Sequence, residues 1–408
     1  MTTKQKNIMI GVNVYVLVFL MTFITRVTKA YIGMAYPNET DLAVQNLITY
    51  PSFFGMIASL LIGPIALKFS KVKLCQITMF MMFLHCVIYY ITGLLHLPFF
   101  CLHIGGALGG IAIGIYITLL NSLIADHFPA EKRAECIAQY NVWINVGGVA
   151  ITYGAGWLAA SNDGASWHNA YLMGIACILG MIVFGIMCKK ADAENPSIVS
   201  KTAQNEGSKL GIKDIPGKTL AWLLLMGTVH CMFYVTQNAF NVNVSSYIIT
   251  EYSLGTSVEA GTATSLVRFA LIPCTALFPI FKKYMKNWII PIGYLTMAIG
   301  LIIMMVMKSL AGAYICACFC GLSTSLVHSE FYATASRYVP LPLVAVATAV
   351  VSCLVSIGNA MSANILMFFA DLLGGGMSNR FLAGAIISVV IAVVASVMYI
   401  FKRPAMVE

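Results

Sequence analysis

The chain is expected to fold as an all-α membrane protein with twelve transmembrane helices in two pseudo-symmetric six-helix bundles. Of its 408 residues, 60% are hydrophobic and only 10% are charged. A soluble domain carries about 25% charged residues, so this composition cannot cover a surface that faces water on all sides. Runs that alternate apolar and polar residues at strand period are absent, which favours helices over a barrel as the spanning elements.

Hydropathy separates the chain into twelve apolar segments, each long enough to cross about 30 Å of hydrocarbon. The first begins near Ile8 and is too long for the core of a signal peptide, so we expect it to be a retained helix. The predicted spans, numbered one to twelve, cover residues 8–36, 43–67, 74–95, 99–125, 135–160, 168–188, 219–249, 257–281, 287–308, 311–335, 341–368 and 379–401.

Basic residues are distributed unevenly between the two sides of this arrangement. If both termini are cytoplasmic, the outer loops hold only Lys308 and Arg380, and the spans hold Arg26, Lys29 and Arg268. The rest of the 24 lysines and arginines lie in the inner loops and tails, as the positive-inside rule requires. The net charge of +9 is therefore explained by topology and does not indicate nucleic-acid binding.

A polar segment, residues 189–218, predicts a cytoplasmic linker between an N-terminal bundle, 1–188, and a C-terminal bundle, 219–408. Matching features in the two halves indicate a repeat. Pro64 and Pro279 follow spans two and eight at an offset of 215 residues, and Gly147 and Gly358 lie in spans five and eleven at an offset of 211.

Arg26 and Arg268 are the strongest functional candidates. Each lies in a long apolar segment, where a charge is costly unless it faces a cavity or a partner. Counted at helix rise from the outer ends of spans one and eight, they lie about 15 and 16 Å deep, near the bilayer midplane. Guanidinium groups suit two-point recognition of a carboxylate, so the pair predicts an anion site. The alternative is an arginine paired with an acid inside the bundle.

Span seven carries a polar stripe at the i, i+3, i+4, i+7 spacing, formed by Tyr234, Gln237, Asn238 and Asn241. Such a stripe is typical of a cavity wall that orients a substrate, although amide bridges between helices give the same pattern. Other polar side chains expected on the wall are Asn145, Asn359 and Tyr116.

Two residues of span ten are candidates for proton coupling. Glu330 is the one carboxylate predicted away from the ends of a span, where it either binds and releases a proton or forms a salt bridge at an inner gate. His328 is a second possible proton carrier, although a histidine on an apolar helix is more often packed and hydrogen-bonded. Lys29, one turn above Arg26, is expected to reach toward the membrane interface.

The sequence gives little support for metal binding or enzyme activity. The twelve cysteines include Cys316, Cys318 and Cys320, but an i, i+2, i+4 spacing does not converge on a metal, so we interpret them as small apolar fillers. There is no nucleophile elbow, phosphate loop or metal-ligand set, so no enzyme activity and no cofactor are expected.

The loop after span two has the pattern of a known family. It reads Gly63-Pro64-Ile65-Ala66-Leu67-Lys68-Phe69-Ser70-Lys71-Val72-Lys73. With two six-helix halves and a central cytoplasmic loop, it resembles the major facilitator superfamily, although Leu67 replaces the acidic residue of the family motif and Ser70 its second glycine. The loop from Asp126 to Ala134 and the glycine-rich fifth span also resemble that family.

The resemblance implies alternating access, with two bundles rocking about a central site. Paired midplane arginines resemble the organic-anion transporters of the superfamily, and Arg268 in span eight resembles the oxalate/formate antiporters. The expected function is transport of a small organic anion, with a carboxylate as the expected class, by proton symport or anion exchange. The alternative is efflux of drugs or amphiphiles.

For anion transport, the expected partners of the chain are the anion, protons and the lipid bilayer. The chain is expected to act as a monomer in the cell membrane with both termini cytoplasmic.

Overall fold

The structure is a computed structural model that describes residues 2–66, 69–193, 215–335 and 344–398. These residues form helices joined by short connections, with no strand among them. The helices pack into two compact units. Unit 1 is Met1–Asn205 with Thr256–Ser265, and unit 2 is Glu206–Gly255 with Leu266–Glu408. Most of the predicted linker, residues 194–214, lies outside the described residues.

Unit 1 contains eight labelled helices among its described residues. They are α1 (Thr3–Phe19), α2 (Ile24–Ala35), α3 (Asp41–Thr49), α4 (Pro51–Ala66), α5 (Lys71–Leu94), α6 (Phe100–His127), α7 (Ala130–Ala159) and α8 (Ile175–Ala193). A 3-10 turn, Leu20–Phe23, joins α1 to α2, so predicted span one is a single 33-residue apolar segment, Thr3–Ala35, with a tightened turn inside it.

The described residues of the C-terminal half contain seven further labelled helices, besides short helical turns. They are α9 (Gly217–Asn241), α10 (Ser257–Ala276), α11 (Phe278–Met285), α12 (Ile289–Met307), α13 (Leu310–Ala335), α14 (Val344–Leu372) and α15 (Met377–Met398). All lie in unit 2 except the first part of α10, because Ser257–Ser265 belongs to unit 1.

Helix starts follow the local sequence. Thr2 begins α1 with a capping box, accepting a hydrogen bond from the Gln5 backbone N–H at 3.2 Å while the Gln5 side chain accepts one from the Thr2 N–H at 3.0 Å. Thr40 and Ser70 cap α3 and α5 in the same way, through the backbone N–H groups of Ala43 and Lys73. Each cap satisfies backbone donors that a helix N-terminus otherwise leaves unpaired.

Eleven segments of the described chain are long and apolar enough to span a bilayer. They correspond to the predicted spans except span eight, whose helix α10 carries Arg268 and Glu259 and is not among the eleven. The predicted boundaries agree with the helix ends to within a few residues. For example, predicted span three, 74–95, corresponds to Lys71–Leu94.

An ion pair joins the first turn of α5 to the last turn of α6 in unit 1. Lys71, in the first turn of α5, lies 2.5 Å from Asp126 at the end of α6, and both side chains are mostly buried. Lys71 belongs to the basic loop that carries the family resemblance. Leu67 and Lys68 of that loop lie outside the described residues.

Helices α4 and α6 approach each other closely enough for their backbones to touch. A Cβ atom at Gly55 would lie 2.8 Å from the Gly110 carbonyl oxygen, and a Cβ at Gly114 would collide with the Gly55 carbonyl. The glycines allow this close crossing because any side chain would force the two backbones apart. Small residues have the same role in membrane bundles generally, where packing rather than the hydrophobic effect holds helices together.

We expect Gly114→Leu to destabilise unit 1 by about 1–3 kcal/mol, because the added side chain overpacks the crossing of α4 and α6. Gly217→Leu is the matched control, since nothing lies within 4 Å of a Cβ at that position. Thermal unfolding of the purified protein in detergent measures both. Equal melting temperatures for the two variants would contradict the assigned role of the α4–α6 crossing.

Candidate functional site

Arg268 lies in α10 within unit 2 and is half-buried. It lies within the range of electrostatic interaction of the Tyr234 hydroxyl and the His328 imidazole. These three side chains come from α10, α9 and α13. A guanidinium, a phenol and an imidazole are all hydrogen-bond donors in suitable protonation states, so together they form a surface suited to an anion.

Around Arg268 the rings form a compact cluster. The ring centroids of His230 and His328 are 4.6 Å apart, with the rings nearly perpendicular, and that of Tyr234 lies 5.2 Å from His328. Phe331 packs 4.0 Å from the completely buried His230. We call His230, Tyr234, Arg268 and His328 the arginine–histidine cluster. His230 was not among the predicted site residues, although its position one turn before Tyr234 places it on the same face of α9.

The remaining residues of the α9 stripe hold neighbouring helices by hydrogen bonds. The Gln237 amide donates to Thr324 Oγ1 in α13 at 2.7 Å. Asn238 Nδ2 donates to Asn359 Oδ1 at 2.6 Å and to Ser362 Oγ at 2.8 Å, both in α14. Gln237 and Asn238 therefore take the second of the two predicted roles, that of amide bridges between helices, one turn from the arginine–histidine cluster.

Gly358 allows Asn359 to reach Asn238. A Cβ at Gly358 would lie 2.7 Å from Cys231 Sγ and would also clash with the Cys231 carbonyl oxygen, so α14 can pack this closely on α9 only with glycine there. Thr324 and Ser362 were not predicted as site residues. Single hydroxyls are common in apolar helices. Predicting these two would have required knowing which helices pack against α9, and the sequence does not specify that. Asn241, the last residue of α9, is buried.

Glu330 forms an ion pair within unit 2. Its carboxylate is 4% exposed and accepts a hydrogen bond from Lys282 Nζ in α11. Of the two roles considered for Glu330, this ion pair favours the salt bridge. The pair joins α11 to α13, and His328 lies on α13 two residues before Glu330.

The other predicted site residues lie in unit 1. Arg26 follows the 3-10 turn of the first span, and its guanidinium lies 4.6 Å from the Phe23 ring centroid, a cation–π distance. Tyr116 stacks on Phe19 with centroids 4.3 Å apart. The Asn145 side chain donates to the Asn141 carbonyl of its own helix at 3.0 Å.

The expectation that Lys29 reaches the membrane interface is wrong. Lys29 is 1% exposed, and its Nζ donates to Asp41 Oδ1 at 2.9 Å. Asp41 also accepts a hydrogen bond from Gln45 at 3.0 Å. The turn between α2 and α3 reverses the chain so that the first residue of α3 faces Lys29. The carboxylate of Asp41 then stabilises the ammonium group inside the bundle.

Arg380, expected in an outer loop, is also buried. It lies in α15, where it donates to Asn243 Oδ1 at 3.2 Å.

Comparison with known proteins assigns the fold to a family. The family model of the Major Facilitator Superfamily matches residues 17–363. The chain belongs to this superfamily. It is therefore a multi-pass membrane transporter, as its helices and their apolar lengths indicate. No curated protein matches the sequence.

Solved structures of superfamily transporters resemble this one at low sequence identity. An auto-inhibited POT family peptide transporter superposes with a TM-score of 0.75 at 12% identity, covering 99% of this chain and 98% of that chain. A POT peptide transporter in complex with sulfate gives 0.74 at 11% identity, with 95% and 94% covered. A bacterial homolog of the human lysosomal transporter Spinster, inward-facing and occupied, gives 0.68 at 15% identity, with 98% and 97% covered. At these identities the likeness shows the fold alone.

We expect Asp41→Asn to destabilise the protein more than Lys29→Met. Removing the half-exposed carboxylate leaves an ammonium buried without its counter-charge, which costs about 3 kcal/mol at a fully buried site. Removing Lys29 leaves a carboxylate that water and Gln45 still solvate, for which about 1 kcal/mol is expected. The Lys29→Met/Asp41→Asn double variant should be more stable than Asp41→Asn alone. Thermal unfolding in detergent tests this order, and a reversed order of the single variants would refute the pairing.

Proposed function

We propose that the protein is a secondary active transporter that moves a small organic anion of the carboxylate class across the membrane by alternating access. The observation that carries the proposal is the arginine–histidine cluster, in which Arg268 lies among Tyr234 and His328 inside the helices of unit 2. Coupling is by proton symport or by exchange for a second anion.

Burying the charge of Arg268 among apolar helices costs free energy. A guanidinium inside an apolar helix bundle is expensive, and such residues are kept where they contact ions or substrates. A carboxylate offsets that cost with two parallel, charge-assisted hydrogen bonds. Arg26 in unit 1 is the second cation that the sequence predicts as a substrate contact.

The neutral donors beside Arg268 supply specificity. Tyr234 offers a hydroxyl to a substrate oxygen, and the bridged amides Gln237 and Asn238 have their orientation fixed by Thr324, Asn359 and Ser362. A few fixed polar groups in a mostly apolar wall are the usual way in which a small-molecule site sets substrate orientation.

His328 is the better candidate for the proton carrier. Its ring packs within the cluster, whereas Glu330 is engaged by Lys282. In a symport cycle, an anion at Arg268 adds a negative charge beside His328, and the imidazole then takes up one proton. Anion and proton cross together, and both leave on the other side. We assign Glu330 to the pair that holds α11 against α13.

The proposal also places the protein in the cell membrane as a monomer with both termini cytoplasmic. Lys282 and Lys71 then lie at the cytoplasmic side, consistent with the positive-inside distribution. Efflux of amphiphiles is the competing function, and it requires no cation at position 268.

We expect Arg268→Ala to abolish uptake of the transported carboxylate into proteoliposomes and Arg268→Lys to retain a small part of it. Lysine keeps the charge but loses the planar two-point contact. The assay screens radiolabelled mono- and dicarboxylates with the wild-type protein and then with the variants. Lys283→Gln is the control, because it also removes one positive charge but outside the cluster. Normal carboxylate transport by Arg268→Ala, or transport of neutral amphiphiles alone, would refute the anion proposal.

We expect His328→Asn to abolish stimulation of uptake by an inward proton gradient while substrate counterflow persists, because exchange of bound anion does not require proton release. Glu330→Gln should keep the gradient dependence and lower the melting temperature, since it breaks the pair with Lys282. If Glu330→Gln loses the gradient dependence and His328→Asn keeps it, then Glu330 is the proton carrier. Uptake that no proton gradient stimulates in the wild type would favour anion exchange.

A further inference from the structure

Three sulfur atoms meet between α12 and α13, away from the arginine–histidine cluster. Cys316 Sγ and Cys320 Sγ are 3.9 Å apart, one helical turn from each other on α13. Cys320 Sγ is 3.5 Å from Met297 Sδ on α12. All three side chains are completely buried. We call Met297, Cys316 and Cys320 the sulfur cluster.

The sequence brings these helices together at two glycines that flank Met297. A Cβ at Gly293 would lie 2.6 Å from the Val327 side chain, and one at Gly300 would lie 2.8 Å from Phe319 Cβ. Ser323 Oγ donates to the Gly293 carbonyl at 2.6 Å, which fixes the antiparallel register. With Ser323 opposite Gly293 and Cys316 opposite Gly300, the thioether of Met297 is placed directly against Cys320.

We propose that the sulfur cluster is a binding site for a soft monovalent metal ion, with Cu(I) as the physiological candidate. Thiolate and thioether ligands select Cu(I) over the hard cations, which prefer oxygen. Three sulfurs each about 2.3 Å from a central metal, a typical metal–thiolate bond length, stand about 4.0 Å apart in a trigonal plane. The Cys316–Cys320 and Cys320–Met297 sulfur separations, 3.9 and 3.5 Å, are close to that spacing, so small side-chain adjustments suffice for coordination.

Charge balance supports a monovalent ion. Binding of one Cu(I) with release of one proton from the Cys316–Cys320 pair leaves one thiolate, one thiol and one thioether around the metal. The complex is then neutral, as a site among apolar helices requires. No electron is transferred, because copper enters and remains as Cu(I). Zinc fits poorly, because it takes four ligands in a closed site. Among the described residues no three His, Cys, Asp or Glu side chains gather as a metal site, and it is the methionine that supplies the third ligand here.

This proposal revises the interpretation of the cysteines as fillers for two of the three in this run. Cys318 lies between the other two in sequence but on the opposite side of α13, where it is exposed. The i, i+4 pair converges, as helix geometry requires, and the middle residue does not. Cys318 is therefore a control that differs from the ligands only in the face it occupies.

The test is anaerobic titration of the purified full-length protein with Cu(I) against a chromophoric Cu(I) chelator. We expect Cys320→Ala to bind one Cu(I) fewer per chain than the wild type and than Cys318→Ala. Met297→Leu, which conserves volume, should weaken the same site by about tenfold or more. The affinity of the wild-type site should rise about tenfold per pH unit, because one proton leaves for each ion bound.

A second readout protects the test against a folding defect. Ag(I), which cannot change its oxidation state under these conditions, should raise the melting temperature of the wild type and of Cys318→Ala but not that of Cys320→Ala, since the ion links α12 to α13. Equal Cu(I) stoichiometry in the wild type and Cys320→Ala would overturn the site. So would equal loss in Cys318→Ala. Neither result tests the anion proposal, because no residue of the arginine–histidine cluster is altered.

Discussion

A polar or charged group surrounded by apolar helices has to be satisfied by its neighbours, and the described structure is organised by that requirement. Lys29 is 1% exposed because Asp41 meets it, and Glu330 is buried because Lys282 meets it. The amides of Gln237 and Asn238 are satisfied by hydroxyls and an amide on α13 and α14. Where water is absent, an unmet group costs far more than a made hydrogen bond gains, so each polar residue fixes the position of a second helix.

The same requirement accounts for one buried charge in each unit. Lys29 and Glu330 each have an opposite charge within their own unit at hydrogen-bond distance, so both are explained by folding alone. Arg268 interacts electrostatically with a phenol and an imidazole that come from two other helices. Under the proposed function, the anion binds beside these three groups.

Much of the fold could be predicted from sequence because the hydrocarbon thickness sets the length of every span. Hydropathy therefore located the helices. The family model across residues 17–363 confirms the superfamily that the loop around Gly63 and Lys71 indicated. The sequence does not show which helix faces contact each other. Periodicity placed Gln237 and Asn238 on one stripe of α9, yet it did not show that hydroxyls on α13 and α14 receive them, nor that His230 packs on His328. The position of Lys29 was predicted wrongly for the same reason, because its partner Asp41 follows a tight turn whose geometry hydropathy does not report.

Glycines give part of the missing information on helix contacts, because they mark positions where two backbones approach closely. Gly358 lets α14 reach α9 and so aligns Asn359 with Asn238, while Gly293 and Gly300 set α12 against α13 and so align Met297 with Cys320. In both places a residue without a side chain determines which functional groups meet.

Helix α13 takes part in both the polar bridge to α9 and the sulfur cluster. Its Thr324 and His328 face α9, and its Cys316 and Cys320 face α12. A change in the packing of α12 on α13 would therefore act on the helix that carries His328. If both proposals hold, an ion that links α12 to α13 would act on the proposed anion site without contacting its residues.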